Sequence, residues 1–304
     1  MSESTKGVLL GVATYACWGT VAPIYFKLVE RADPPEILAH RILWSVVMLL
    51  AIITAMRKWP PMLAVASDMR VVRILACSAV AVAINWYTYI WAVTHDRLIE
   101  ASLGYFINPL VSVLLGFAFL RERLRIVEWL SIALATAAVV WLTLTAGVIP
   151  WISLTVAFSF GLYGLLRKIA GVPSLNGLTI ETVILLPLAG GYLIYRAATG
   201  TIVFGHTSHA FDLLLMASGP VTAIPLLWFA AAVRRLRLAT IGLLQYISPT
   251  LQFLVAVFLF HEPFDHTRML AFALIWIAVA VYSATNVMAP ASLPRQYSQS
   301  SRLS

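Results

Sequence analysis

Arg41 stands inside an apolar stretch that reads Glu36-Ile-Leu-Ala-His-Arg-Ile-Leu-Trp44, with His40 beside it and Trp44 three residues on. Its guanidinium stays charged at neutral pH and offers five N–H donors but no acceptor. In an apolar helix it needs a carboxylate, a cage of carbonyls or an anionic ligand. The alternative is a side chain that snorkels to an interface or closes a structural ion pair. Glu181, in Ile180-Glu-Thr182, is a second charge in an apolar run; it is a candidate for proton coupling, as is Glu100, or a capped glutamate at a helix end. No pairing between Arg41 and Glu181 is expected.

A second constellation is Glu100-Ala-Ser-Leu-Gly-Tyr-Phe-Ile-Asn-Pro109. On a helix, Glu100, Ser102, Tyr105 and Asn108 fall near one face. Pro109 lacks an N–H and so frees a carbonyl one turn earlier. A freed carbonyl next to Asn108 and Tyr105 suits a polar solute; equally, the polar groups can satisfy a kinked backbone. Gln245, Tyr246 and Ser248 before Pro249 repeat the arrangement. Asn85, Trp86, Tyr87, Tyr89 and Trp91 offer ring faces to an aromatic or cationic solute, or pack between helices, with Trp91 an interfacial anchor. Gly7-x3-Gly11 permits close helix approach.

Other chemistries are excluded by spacing. His261-Glu262-x3-His266 misses the zinc-protease spacing by one residue, and Pro263 interrupts it. No Walker A, GxGxxG or other cofactor motif is present, and Cys17 and Cys77 sit in apolar runs without metal or disulfide spacing. The chain is therefore expected to bind no cofactor or metal and not to be an enzyme.

Elements that could position these groups must live in lipid. Of 304 residues, 61% are hydrophobic and 11% charged, against about 25% charged in soluble domains. Apolar runs of about 20 residues, enough to cross a bilayer as helices, fall at 8–28, 36–56, 71–94, 100–120, 127–145, 149–168, 178–197, 211–233, 239–260 and 267–288. Continuous runs exclude a period-2 barrel. Fifteen of the 21 Lys and Arg fall on the side shared by both termini, five on the other, and Arg41 within a span. The positive-inside rule then puts both termini in the cytoplasm. The charge of +8 is a topology signal and implies no nucleic acid; no obligate protein partner is evident. Residues 289–304 read as a disordered cytoplasmic tail.

An offset of 140 residues aligns the halves: Pro109 with Pro249, Glu122 with Glu262, Arg97-Leu98 with Arg237-Leu238, and Ala101–Gly104 with Ala239–Gly242 after a two-residue slip. Each half holds five spans, so the second copy, 147–288, enters the membrane inverted relative to the first, 1–146. Inverted repeats of this kind are typical of secondary transporters.

The Glu36–Trp44 and Glu100–Pro109 stretches, Asn85-Trp86, Ile180-Glu-Thr182 with Pro187, and Gln245-Tyr246-x-x-Pro249-Thr250 together resemble the RarD group of the EamA family, in the drug/metabolite transporter superfamily. The resemblance covers about residues 7–285. It implies a ten-helix bacterial inner-membrane transporter of small organic solutes such as amino acids, metabolites or drugs, in a group linked to chloramphenicol sensitivity. The family's common Gly-Glu reads Arg121-Glu122 and His261-Glu262 here. A lipid-headgroup flippase, and more remotely an intramembrane enzyme, are the alternatives left open.

Overall fold

The computed structural model describes residues 2–120, 124, 126–233, 235, 236 and 244–288. The charged link 121–125 other than Leu124, the repeat positions 237–242 and the tail 289–304 lie outside them. Among the described residues every regular element is helical. In order they are α1 (Glu3–Ala16), which runs through a π turn at Cys17–Val21 into α2 (Ala22–Leu28); α3 (Pro34–Ala55); α4 (Trp59–Ser67); α5 (Met69–Thr94); α6 (Leu98–Leu120); α7 (Ile126–Ala146); α8 (Trp151–Ala170); α9 (Ser174–Ala198); α10 (His209–Met216); α11 (Ser218–Val233); α12 (Ile247–Leu254), extended by a π turn at Val255–Leu259; and α13 (His266–Met288).

Local chemistry sets the ends. The Ser2, Asp68 and Ser208 side chains accept from backbone N–H groups in the first turns of α1, α5 and α10, as N-caps do. Gly171 closes α8 in the left-handed conformation at φ 64°, and Pro173 prevents continuation. Pro23, two residues past the first π turn, cannot donate into the helix, and the wider turn absorbs the lost bond.

Seven helices are long and apolar enough to cross a membrane among the described residues; three further apolar helices, Trp129–Thr145, Ile247–Leu259 and His266–Val281, are shorter. One feature departs from the sequence reading: a short helix, α4, occupies the link after α3. The span expected at 211–233 is matched by His209–Phe229, long and apolar enough to cross a membrane, with α10 passing into α11 at Ala217.

In lipid, helices associate through close packing and buried polar contacts rather than through release of water. Here α8 packs on both α5 and α6, α3 on α9 and α11, α1 on α11, α7 on α13, and α12 on α6 and the first π turn. Gly7 and Gly11 lie in the α1–α11 seam: a Cβ on Gly7 would come within 2.8 Å of the Arg235 Cβ, and one on Gly11 within 2.8 Å of Leu244.

The links after α2, α5, α9 and the second π turn meet at one end of the bundle, named here for Glu262. Lys27 pairs with Asp96 at 2.8 Å and Arg196 with Asp33 at 2.5 Å across them. Below these contacts lies the largest apolar core, with Val29, Ile37, Ile90, Val93 and Leu98 fully buried. The opposite end, named for Arg167, carries the α3–α5 and α8–α9 links, tied by the Asn176 amide donating to the Pro61 carbonyl at 3.2 Å.

Candidate functional site

A cavity of about 550 Å³ runs through the bundle from buried Phe26 and Tyr89 to exposed Lys168 and Ser174 at the Arg167 end. It is blind towards the Glu262 end, where the buried core closes over it.

Arg41 lines the blind end. Its guanidinium carbon lies 4.1 Å from the Trp86 ring centroid and 5.4 Å from that of Phe26. Its Nε is buried without a hydrogen-bond partner. No carboxylate of a described residue pairs with it. The magnitudes matter here. A desolvated cation–π contact contributes about 2 kcal/mol, whereas an Arg at the centre of a spanning helix costs about 2.5–3.5 kcal/mol on insertion scales. The rings offset part of that cost; the remainder falls to whatever fills the cavity. Among the described residues Arg41 closes no ion pair, and it lines the interior cavity.

Around Arg41 the polar wall is fixed by bonds to backbone. The Asn85 amide donates to the Val156 carbonyl at 3.1 Å and to Ser159 Oγ at 3.2 Å, and its oxygen accepts from the Tyr105 hydroxyl at 3.1 Å. Asn108 donates to the Ala157 carbonyl at 3.1 Å. Both asparagines thus tie α8 to its neighbours while lining the cavity. On the other wall, Gln252 donates to the Trp18 carbonyl at 3.2 Å, and its Oε1 is buried without a partner. The Tyr89 hydroxyl and Thr222 Oγ1 are likewise buried and unpartnered.

At the mouth, Arg167 Nη1 lies 3.7 Å from Glu181 Oε1, which accepts a 2.6 Å bond from the Ser78 hydroxyl. The Tyr163 hydroxyl donates to Glu181 Oε2 at 3.5 Å. Gly177 makes room for this cluster, since a Cβ there would overlap the Arg167 guanidinium. Arg167 and Tyr163 line the cavity; Glu181, fully buried, lies behind them.

The structure therefore brings Arg41, Asn85, Trp86, Tyr105, Asn108, Gln245 and Pro249 to one cavity. Other candidates sit elsewhere. His40 is buried against Phe204, 4.8 Å between ring centroids, with Nε2 4.0 Å from Glu36. Trp44 is not among the residues lining the cavity, and its backbone carbonyl lies against Gly219. Ser102 donates to the Ile99 carbonyl at 2.8 Å, Tyr246 stacks on Phe106, and Pro109 is buried inside α6. Glu100 pairs with Arg97 at 2.7 Å at the Glu262 end. Trp91 stacks on His95, 4.2 Å between centroids.

Sequence reasoning missed the Tyr15–Trp18–Phe229 aromatic cluster, whose residues all line the cavity. It also assigned no role to two buried carboxylates at the Glu262 end. Glu36 Oε1 accepts from the Val203 and Phe204 N–H groups at 2.9 and 3.2 Å, and Arg196 stands 3.4 Å from Oε2. The two oxygens of Glu262 accept from Leu98 N–H at 2.6 Å and Ile99 N–H at 2.9 Å, where α6 begins. A helix N-terminus favours a carboxylate in this position. The match of Glu262 to Glu122 in the repeat was the available signal.

Comparison with known proteins agrees with the helical membrane architecture. Residues 5–144 match the model of the EamA-like transporter family. "Protein RarD" of Salmonella typhi is 45% identical over 280 residues, 92% of this chain and 95% of that protein. "Chloramphenicol-sensitive protein RarD" of Pseudomonas aeruginosa is 35% identical over 292 residues, covering 92% and 94%. One crystal structure superposes with a TM-score of 0.55 at 18% identity, covering 95% of this chain and all of the other, a likeness of fold. The chain belongs to the EamA-like transporter family, among the RarD proteins, and is a multi-pass membrane transporter.

Proposed function

We propose that the protein is a secondary transporter of small organic solutes in the bacterial inner membrane, working by alternating access. The central cavity holds the solute, and the Arg167 end faces the cytoplasm. One observation carries this reading: the central cavity opens at one end of the bundle and stops at Arg41, which pairs with no described residue, while buried carboxylates stitch the opposite end.

Ten spans in two inverted five-helix copies, 1–146 and 147–288, fit the packing. Exchanging α1–α2 with α8, α3 with α9, α5 with α10–α11, α6 with α12, and α7 with α13 carries the most extensive neighbour pairs onto one another. The α8 contacts with α5 and α6 become those of α1 with α11 and of the first π turn with α12. The α3–α11 contact becomes α9–α5, and the α3–α9, α7–α13 and α6–α12 pairs map onto themselves. Two copies in opposite orientation can exchange conformations, so a cavity open at one end implies a counterpart open at the other.

In this cycle Glu36 and Glu262 act as latches. Exposed ion pairs such as Lys27–Asp96 contribute about 0–1 kcal/mol each; a buried carboxylate on backbone N–H groups contributes about 1.5–3 kcal/mol per bond. Closure at the Glu262 end therefore rests on these two side chains. Glu181 is the proposed proton-coupling group, because Tyr163 and Arg167 connect it to the cavity wall.

Solute flux in proteoliposomes tests the function. Wild type should move small organic solutes, and Arg41→Ala should not. Equal flux in both, or flux of lipid headgroups instead, contradicts the reading.

A further inference from the structure

We propose that the cavity selects a small organic anion, a monocarboxylate carrying an aromatic or similarly flat apolar body, with Arg41 as its anchor. This rests on the transport reading and names its substrate class.

The electrostatic pattern gives the sign. Arg41, Arg167 and Lys168 line the cavity, and among the described residues no Asp or Glu does. Arg167 is compensated from behind by Glu181 at 3.7 Å. Arg41 is not: it makes no ion pair or hydrogen bond with a described residue, and its Nε is buried without a partner. Cations at the mouth and in the depth of a low-dielectric cleft concentrate anions. A cationic solute would meet the opposite field.

The geometry gives the head group. A guanidinium over a ring face, as Arg41 lies over Trp86 at 4.1 Å, keeps its in-plane N–H donors for a ligand. Two parallel donors match a carboxylate. A single uncompensated guanidinium balances one charge, which favours a carboxylate over a phosphate dianion. Tyr89, whose hydroxyl is buried without a partner, lines the same cavity, its ring edge-on to Phe26 and Tyr105 at 5.9 Å each.

The walls give the body. Phe26, Tyr89 and Tyr105 surround the blind end, and Trp18 and Phe229 line the opposite wall. Ring faces reward a flat apolar group. A volume of about 550 Å³ lies in the range that encloses a ring with a short side chain.

The test uses the purified full-length protein and four probes of matched size: phenylacetate, its neutral amide phenylacetamide, the cation phenethylamine and the dianion phenyl phosphate. Acetate serves as a ringless control. Binding is read by thermal shift and by fluorescence of the tryptophans. Phenylacetate should bind wild type at least tenfold more tightly than each other probe, about 1.4 kcal/mol. Arg41→Gln should lose that preference, and Arg41→Lys should keep part of it. Equal or tighter binding of the amide, the amine or the phosphate overturns the inference while leaving a solute-binding cavity and the transport reading in place. So does acetate matching phenylacetate. The comparison among probes on wild type holds even if a variant fails to fold. Binding of no probe overturns the inference, and flux in proteoliposomes then decides the transport reading separately.

Discussion

The two ends of the bundle pair their charges differently. At the Glu262 end, carboxylates reach across links: Glu36 bonds the backbone at Val203 and Phe204, and Glu262 bonds the start of α6. Each joins a loop to a helix from a distant part of the chain, so the end is sewn shut. At the Arg167 end, Glu181 turns inward to Ser78 and Arg167, and the cavity passes between the helices to Lys168 and Ser174. Charge paired with backbone across helices closes a passage; charge paired within one wall lines it.

Substitutions can break this contrast in a graded way. The largest effect is expected at the cavity's blind end, which the closed end protects. Arg41→Ala removes a cavity cation that no described carboxylate balances and should lower transport roughly 100-fold, the loss of charge-assisted bonds of about 3 kcal/mol; flux in proteoliposomes reads it. Next, Glu262→Gln leaves one of two N–H groups facing an amide donor. It should raise thiol labelling of Val29→Cys, fully buried in the native chain, roughly tenfold. Glu36→Gln should act in the same direction and more weakly, because its two N–H bonds converge on a single oxygen that the amide carbonyl replaces. Unchanged labelling in both would separate the two ends less sharply than proposed. The smallest effect is expected at Trp86→Phe, which keeps a ring under Arg41 and should cost two- to fivefold in transport, about 0.5–1 kcal/mol of cation–π energy.

The site was legible where polarity broke an apolar run. Arg41, Asn85, Tyr105 and Asn108 stand out in sequence because lipid-facing helices rarely carry them, and all four line the cavity. Tyr15, Trp18 and Phe229 were not legible, because aromatic residues in apolar runs read as packing until distant helices bring them together. Glu36 and Glu262 received no role from the sequence; their partners are backbone N–H groups, which leave no mark in it. Ser102 and Tyr246 show the converse. Each was expected at the site from its place before a helix proline, yet a local carbonyl and a neighbouring ring take them. The π turn at Cys17–Val21 and the division between α10 and α11 depend on how prolines and close helix contacts are accommodated, which periodicity does not encode.

Thr222, buried on the cavity wall, offers the most direct test of one-sided access. Thr222→Cys, in a background without Cys17 and Cys77, would be labelled with a membrane-impermeant thiol reagent from each face of oriented vesicles. Labelling from the face bearing Arg167 and Lys168, protection from the other face, and loss of that protection in Glu262→Gln are the expected results. Equal labelling from both faces of the unlatched and latched proteins would contradict the account.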